Sequence, residues 1–574
     1  MSWFEKVEST FENRSNWIKF ANESLNQGLS KFKDFKASNA TIFSPSQVGI
    51  LTGIVIAIFV NWKANKQNFK RFDASSLARR LTCAAILPIF LAILAILALY
   101  RQFVCILLRV KFGRQFISIL DASDAVWSVE HHNWRSIINI VALLEAPELD
   151  ESSPEAKTDT ILTLLRNKFG KLEFTHQKLF YSLNRQFGYS FWLKNPIEIK
   201  DYIKIVDIPS SSDCLTSEEL QSWVGNVSNN ALPDNHCKLW EILVSQKSVV
   251  DNETTKFPIL CRVHHSLGDG VALLRFFLET ITDQESSKAL NNAPEENNLK
   301  SGKKIISDLV KWVKLISFLP FYISDQLSSR PDSNCLHGST LTGQKTISWL
   351  HEPTNSNLLR NLRRVKRTIP NSRFSDLILT SISSSLHQYF EQSGKPIPKS
   401  IQIIVPARIE AIEKNLKLQN KFSVALQKLP ILPPLDRDSD ISELALKVSR
   451  VRKQTNLVRL KSDYLLNYAI MTVFGHFFPH WILTGILDSK LATIVFSNLP
   501  GPTEEAFLGN FRITSMSFAV PHRDLTGIGV TLLTYAGKLQ ISLSADAALL
   551  PTLNQAREIL QNISNAIKHC AEVS

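Results

Sequence analysis

A mixed α/β globular protein of at least two units, set behind an apolar N-terminal region, is the fold class this sequence predicts. Three observations carry that expectation. At 574 residues the chain is too long for one ordinary hydrophobic core. Beyond residue 114, short β-rich runs alternate with longer stretches of 3.6-residue periodicity. Apolar residues make up 44% of the chain and charged residues 20%, a balance that folds and argues against long disorder.

The N-terminal region opens with residues 1–28, mixed polar and acidic, without the apolar core and cleavage site of a secretory signal. An apolar run at 48–60 sits near the lower length limit for a bilayer span. A second, 81–100, is long enough to cross as a helix, and Arg101 and a further apolar patch at 103–108 follow it. Twenty apolar residues without a polar face have little place in a soluble fold, so at least one span is expected. The loop between the runs carries Lys63, Lys66, Lys70, Arg71, Arg79 and Arg80, but residues 1–40 hold six basic side chains too, so charge leaves the orientation open. Residues 1–114 contain 16 Lys and Arg against 6 Asp and Glu, so most of the net charge of +13 lies there. Basic charge gathered around apolar runs points to anionic lipid headgroups, and the absence of a basic helix interleaved with aromatics argues against nucleic acid. The seven cysteines, Cys83, Cys105, Cys214, Cys237, Cys261, Cys335 and Cys570, form no close pair with zinc-ligand spacing, so no metal is expected. Reduced thiols facing the cytosol are their simplest reading.

After Arg114, runs at 199–206, 259–263 and 401–405 read as strands, and 271–282 and 376–390 as helices. Residues 283–304 read as a polar connector between two subdomains. Residues 305–327 mix Trp312, Phe318, Phe321 and Tyr322 with Lys311 and Lys314, which suits either a helix at a membrane surface or an amphipathic helix packed on the domain. The apolar stretch 464–487 is broken by Gly475, His476, Pro479 and His480 and reads as two packed helices rather than a span. These features divide the chain into an anchoring region at 1–114, a first subdomain at 115–290, a connector with its amphipathic helix at 291–340, and a second subdomain at 341–574.

The chemistry-bearing run is HHSLGDG at 264–270, between a strand-like and a helix-like segment. A strand end is a rigid platform from which a side chain is aimed into a cleft. Imidazole has a pKa near neutrality, so a histidine there can remove a proton from a hydroxyl. Gly268 and Gly270 permit a tight turn and close backbone approach, and Asp269 folds back to fix the turn or pairs with an arginine. An isolated His-His pair beside a turn is usually structural; Asp-Gly at this spacing, in this strand-to-helix context, favours catalysis.

The motif resembles the HHxxxDG signature of the coenzyme A-dependent acyltransferase superfamily, which includes chloramphenicol acetyltransferase, plant alcohol acyltransferases and peptide-synthetase condensation domains. More specifically, the chain resembles the bifunctional wax ester synthase/diacylglycerol acyltransferase family from about residue 115 to 560. LDASDAVW at 120–127, the segment from Leu232 to Glu241, FSDLIL at 374–379, VPAR at 405–408, Asn420-Lys421-Phe422, SNLPGP at 497–502 and TYAG at 534–537 follow the family's order. Ser375 stands where the family pattern has asparagine. The resemblance implies two α/β subdomains of the chloramphenicol acetyltransferase type with a tunnel at their junction, preceded here by N-terminal anchoring helices. It places the general base on His265, a structural role on Asp269, and His264 beside them. Gly268, Gly270, Ser375, Asp376, Ser497 and Asn498 are the expected substrate-binding positions. Ser497 or Asn498 either donates to a tetrahedral oxyanion or caps its loop.

The implied reaction is direct transfer of a long-chain acyl group from acyl-CoA, a co-substrate rather than a cofactor, to a fatty alcohol or diacylglycerol. No G-x-S-x-G serine motif is present, which fits transfer without an acyl-enzyme. Such lipids reside in membranes, so the bilayer is an expected partner. The endoplasmic reticulum membrane with a cytosolic catalytic domain is the expected location, with the plasma membrane and lipid droplet as alternatives. Two competing readings are a carrier-dependent condensation enzyme and a catalytically silent, membrane-anchored lipid-binding or scaffold protein of the same fold.

Overall fold

The computed structural model describes residues 74–573, apart from 148–150, 195–197, 235–237, 252–253, 284–328, 353–355, 410–415, 461–462 and 488–489. The apolar run at 48–60, nearly all of the connector and the helix expected at 305–327 lie outside the described residues. The described residues belong to one compact unit, Ala74–Asn298 with Leu319–Ser574.

Eleven α-helices are described: α1 (Ala74–Phe112), α2 (Ala122–Trp127), α3 (Pro154–Gly170), α4 (Ser217–Val227), α5 (Gly270–Phe276), α6 (Leu358–Thr368), α7 (Phe374–Gln392), α8 (Ile441–Leu460), α9 (Asp463–Phe477), α10 (His480–Ile486) and α11 (Leu553–Val573). The helix expected over 271–282 is α5 widening into a π-helical turn, Phe277–Ile281. The break at 478–479 gives the two helices expected over 464–487.

The strands form two large sheets and one small one. The first large sheet runs in the order β13 (Ala506–Leu508), β14 (Phe511–Ala519), β2 (Ile137–Glu145), β8 (Thr254–His264), β6 (Trp240–Ser245) and β5 (Ile203–Val206), with β7 (Val249–Asp251) also on β8. The second runs β11 (Phe422–Pro430), β10 (Ser400–Arg408), β12 (Ile494–Pro500), β15 (Ile528–Tyr535), β16 (Lys538–Asp546) and β9 (Lys345–His351). The small sheet is β1 (Phe116–Ile119), β4 (Tyr189–Lys194) and β3 (Tyr181–Gln186). The boundary at 341 does not separate the sheets cleanly. The hairpin β13–β14 returns to the first sheet by pairing with β2, because Ala519↔Asn139 through Arg512↔Glu145 completes that ladder. The sheets are stitched where Tyr535, at the end of β15, accepts the Ala506 amide at 2.8 Å and donates to the Ile513 carbonyl at 2.7 Å.

Within α1, residues 86–112 form most of a stretch long and apolar enough to cross a membrane. Arg101 does not end the helix; its guanidinium donates to the Leu120 carbonyl at 3.3 Å. One face of α1 packs on the unit through Leu87, Leu94, Ala98, Val104 and Leu108. The opposite face exposes Ile89, Ile93, Ile96, Phe103, Ile106 and Val110. The spacing of both sets is helical, so each makes a stripe.

Two local features place the elements used below. β8 is paired on both sides, Ile137↔His264 with β2 and Trp240↔Val263 with β6, so its end is held rigidly. The short α2 is seated on α9 because Gly475 has no side chain there; a Cβ would fall on the Ala122 carbonyl. Gly475→Ala is therefore expected to cost about 1–3 kcal/mol, the usual penalty for forced overpacking. A denaturant midpoint shifted to lower concentration checks this; an unchanged midpoint contradicts the contact.

Candidate active site

The backbone around the motif is pinned before any side chain acts. The His264 amide donates to Leu239 at 2.8 Å and the His265 amide to Ser136 at 2.7 Å, so the chain leaves β8 in one direction. Asp269 then caps α5, its Oδ1 accepting the Ala272 amide at 2.9 Å. The Asp269 backbone is extended there, with φ −77° and ψ 168°.

The same carboxylate reaches the second sheet. Its Oδ2 accepts the Lys421 amide at 2.9 Å, its Oδ1 lies 3.5 Å from Arg408 Nη1, and its own amide donates to the Gln419 carbonyl at 3.3 Å. Asp269 thus both fixes the turn and meets an arginine, and it fastens the motif to the loop entering β11. Gly270 approaches β12, where an added Cβ would lie 3.0 Å from Leu499 Cδ1. Gly268 has only ordinary contacts, and neither glycine adopts a positive φ, so the turn itself does not demand them.

His264 is fully buried. Its Nδ1 accepts the Ser266 amide at 3.2 Å and lies 2.7 Å from Ser266 Oγ, while Nε2 lies 3.3 Å from Glu130 Oε1. Nδ1 thus serves the turn, while Nε2 faces Glu130 outside it.

His265 is the exception in this locked turn. Trp127, at the end of α2, lies flat on its ring at 3.8 Å and 11°, and Phe422 flanks it at 5.4 Å. Nδ1 is 3.0 Å from Asn420 Oδ1. Burial pushes the imidazole pKa down to about 3; hydrogen bonds with its own backbone and Asn420 oppose the shift, and His264 adds to it. The ring is therefore neutral at any ordinary pH and holds a free lone pair. It is only 8% exposed, so it does not line an open tunnel; the half-buried Trp127 covers it. A cavity of about 160 Å³ lies instead between α7, α8 and α11, lined by Thr380, Ser384, Lys447, Asn562 and others. The Trp127 Nε1 is a buried donor with no hydrogen-bond partner among the described residues.

The remaining expected positions are dispersed. Ser497 is buried and Asn498 exposed on β12. Ser375 is half-buried at the start of α7; Asp376 is fully buried, its Oδ2 accepting the Arg373 amide at 3.0 Å. Among the described residues neither shares a hydrogen bond with His265. Sequence reasoning quoted Asp124, Trp127 and Asn420 only as parts of matching segments. It missed that they meet His265, because Asn420 is 155 positions from it and 296 from Asp124.

The family described as "WS/DGAT C-terminal domain" matches residues 418–568. An O-acyltransferase WSD of Acinetobacter baylyi is 23% identical over 319 residues, 52% of this chain and 68% of that protein. Wax ester synthase/diacylglycerol acyltransferase 2 of Arabidopsis thaliana is 24% identical over 403 residues, 63% of this chain and 79% of that protein. The chain is thus similar over much of its length to wax ester synthase/diacylglycerol acyltransferases, and its residues 418–568 match their C-terminal domain. The solved wax ester synthase/diacylglycerol acyltransferase from Marinobacter aquaeolei VT8 aligns with a TM-score of 0.54 at 16% identity, covering 79% of this chain and 100% of that one. That likeness shows the two-subdomain acyltransferase fold. The wax ester synthase/diacylglycerol acyltransferase match begins at residue 418, so it includes the loop that closes the site over His265.

Neutrality of the ring is directly observable. In detergent-solubilised protein carrying labelled histidine, the His265 resonance is expected to stay unshifted from pH 8 to 5. A titration centred near the free imidazole value of about 6.5 contradicts the burial.

Proposed function

We propose that the protein is a membrane-attached acyl-CoA:alcohol O-acyltransferase that moves a long-chain acyl group to a fatty alcohol, a diacylglycerol, or both. The observation that carries this reading is the neutral His265 imidazole, held at the end of β8 against the loop entering β11. Nothing in the site favours the silent lipid-binding alternative, since the ring is not locked as a cation against a carboxylate.

The acceptor hydroxyl attacks the thioester carbonyl carbon while His265 takes its proton. The carbonyl π pair moves to oxygen, and this oxyanion takes a hydrogen bond from Ser497, Asn498 or the partnerless Trp127 indole. The C–S bond then breaks, and the imidazolium returns its proton to the departing coenzyme A sulfur. Acyl-CoA is a co-substrate and the chemistry draws on no cofactor. Trp127 and Phe422 enclose the imidazole and exclude water that would hydrolyse the thioester. Of the expected substrate contacts, Ser375 and Asn498 retain exposed surface suited to the task.

The outer stripe of α1 supports attachment to a bilayer, each buried methylene contributing about 0.8 kcal/mol. It continues onto exposed Phe187 and Trp481: Tyr100 donates to the Phe187 carbonyl at 3.2 Å, and the His480 amide to Gly188 at 2.7 Å. In this reading α1 lies along the catalytic unit, which supports a unit held at a lipid surface; the endoplasmic reticulum with a cytosolic catalytic face is the location we propose.

Purified protein given labelled palmitoyl-CoA with hexadecanol or a diacylglycerol is expected to form ester, and His265→Ala to lose about 10²–10⁴-fold while remaining folded. Equal activity in that variant removes the mechanism. Replacing Ile89, Ile96 and Phe103 together by aspartate is expected to weaken flotation with anionic vesicles while leaving the core intact. Undiminished flotation rules out the α1 stripe as the attachment surface.

A further inference from the structure

The imidazole that performs the proposed transfer has two nitrogens, and only the one without a proton can act as base. We propose that Asn420 is a positioning residue for His265: held in one orientation by Asp124, it keeps the proton on Nδ1 and leaves the Nε2 lone pair for the acceptor hydroxyl. This inference rests on the acyltransferase reading and deepens it.

The orientation of the Asn420 amide is decided by its neighbours. Its Nδ2 has two hydrogens, and two acceptors meet them: Asp124 Oδ1 at 2.8 Å and the His265 carbonyl at 2.8 Å. Turning the amide over would set its oxygen against a carboxylate and a carbonyl, neither of which can donate when the carboxylate is ionised. The oxygen therefore faces His265 Nδ1 at 3.0 Å, and only an N–H can answer it there.

Asp124 is itself fixed. Lys178 Nζ donates to its Oδ2 at 2.7 Å, and to the Leu267 carbonyl at 3.0 Å and the Leu418 carbonyl at 3.1 Å. All three ammonium hydrogens are used, each on a different segment of the site. Lys178, Asp124, Asn420 and His265 thus form one chain of hydrogen bonds running from the 3₁₀ turn Gln177–Phe180 through α2 and the loop before β11 to the end of β8.

The interposed amide has a chemical consequence. A carboxylate placed directly on Nδ1 would favour the imidazolium by its opposite charge. A neutral amide fixes the tautomer and ring direction without that charge, so the base stays unprotonated in a buried site.

The test has two parts. In the unmodified protein, nitrogen-15 spectra of labelled histidine are expected to show a protonated, pyrrole-type Nδ1 and a pyridine-type Nε2 at His265. The reverse assignment overturns the proposal even if ester formation proceeds. In Asn420→Ala, kcat is expected to fall at least about 10-fold with the KM for palmitoyl-CoA within about twofold, and the two tautomers to mix. A folded variant with native kcat and an unchanged tautomer overturns the positioning role. If the unmodified protein makes no ester while Nδ1 carries the proton, the acyltransferase reading fails and the hydrogen-bond chain stands.

Discussion

The grip of the turn at 264–270 on the loop at 418–422 is the contact on which the site depends. β8 belongs to the first sheet and β11 to the second, so neither sheet alone encloses His265. Asp269 bridges them with one carboxylate, capping α5 on its own side and receiving the Lys421 amide from the other. Lys178 ties carbonyls from both segments to α2. Releasing that grip would strand several buried amides, at about 1–3 kcal/mol each, and open the imidazole to water. The depressed pKa of His265 is a product of this enclosure, since burial is its largest cause.

Enclosure has two sides for a base. A neutral ring is available at every ordinary pH, but a low pKa makes it a weak acceptor. The same property makes the imidazolium a strong acid, ready to pass the proton to the departing sulfur. Trp127 adds a second constraint, because the indole lies flat on the ring and holds its plane, in which the Nε2 lone pair points. Its support is indirect: α2 sits on α9 through Gly475, and α9 continues through Pro479 into α10, beside the outward stripe of α1. The cover over the base and the apolar surface are thus built on neighbouring elements.

Much of this was legible in sequence where the signal is local. The strand, turn and helix around HHSLGDG follow from period and capping, and the Pro479 break separates α9 from α10, whereas Gly475 lies inside α9. The junction was not legible, because Asn420 meets His265 from 155 residues away and meets Asp124 from 296, and nothing in their own neighbourhoods encodes it. The return of β13–β14 to the first sheet is hidden for the same reason, since a strand's period does not name its partner. The apolar run read to residue 100 does not stop at Arg101, and the helix continues to Phe112. The tight turn that Gly268 and Gly270 were expected to permit forms with ordinary dihedrals under an extended Asp269 cap. His264 and His265 are indistinguishable by type, and only their contacts, Ser266 and Glu130 for the first, Trp127 and Asn420 for the second, tell them apart.

The central claim is that a covered, neutral imidazole at this junction meets the acceptor hydroxyl. A structure of the protein with a non-hydrolysable acyl-CoA analogue and a fatty alcohol tests it most directly. The account predicts the alcohol oxygen about 3 Å from His265 Nε2. Both ligands seated away from that nitrogen would contradict it.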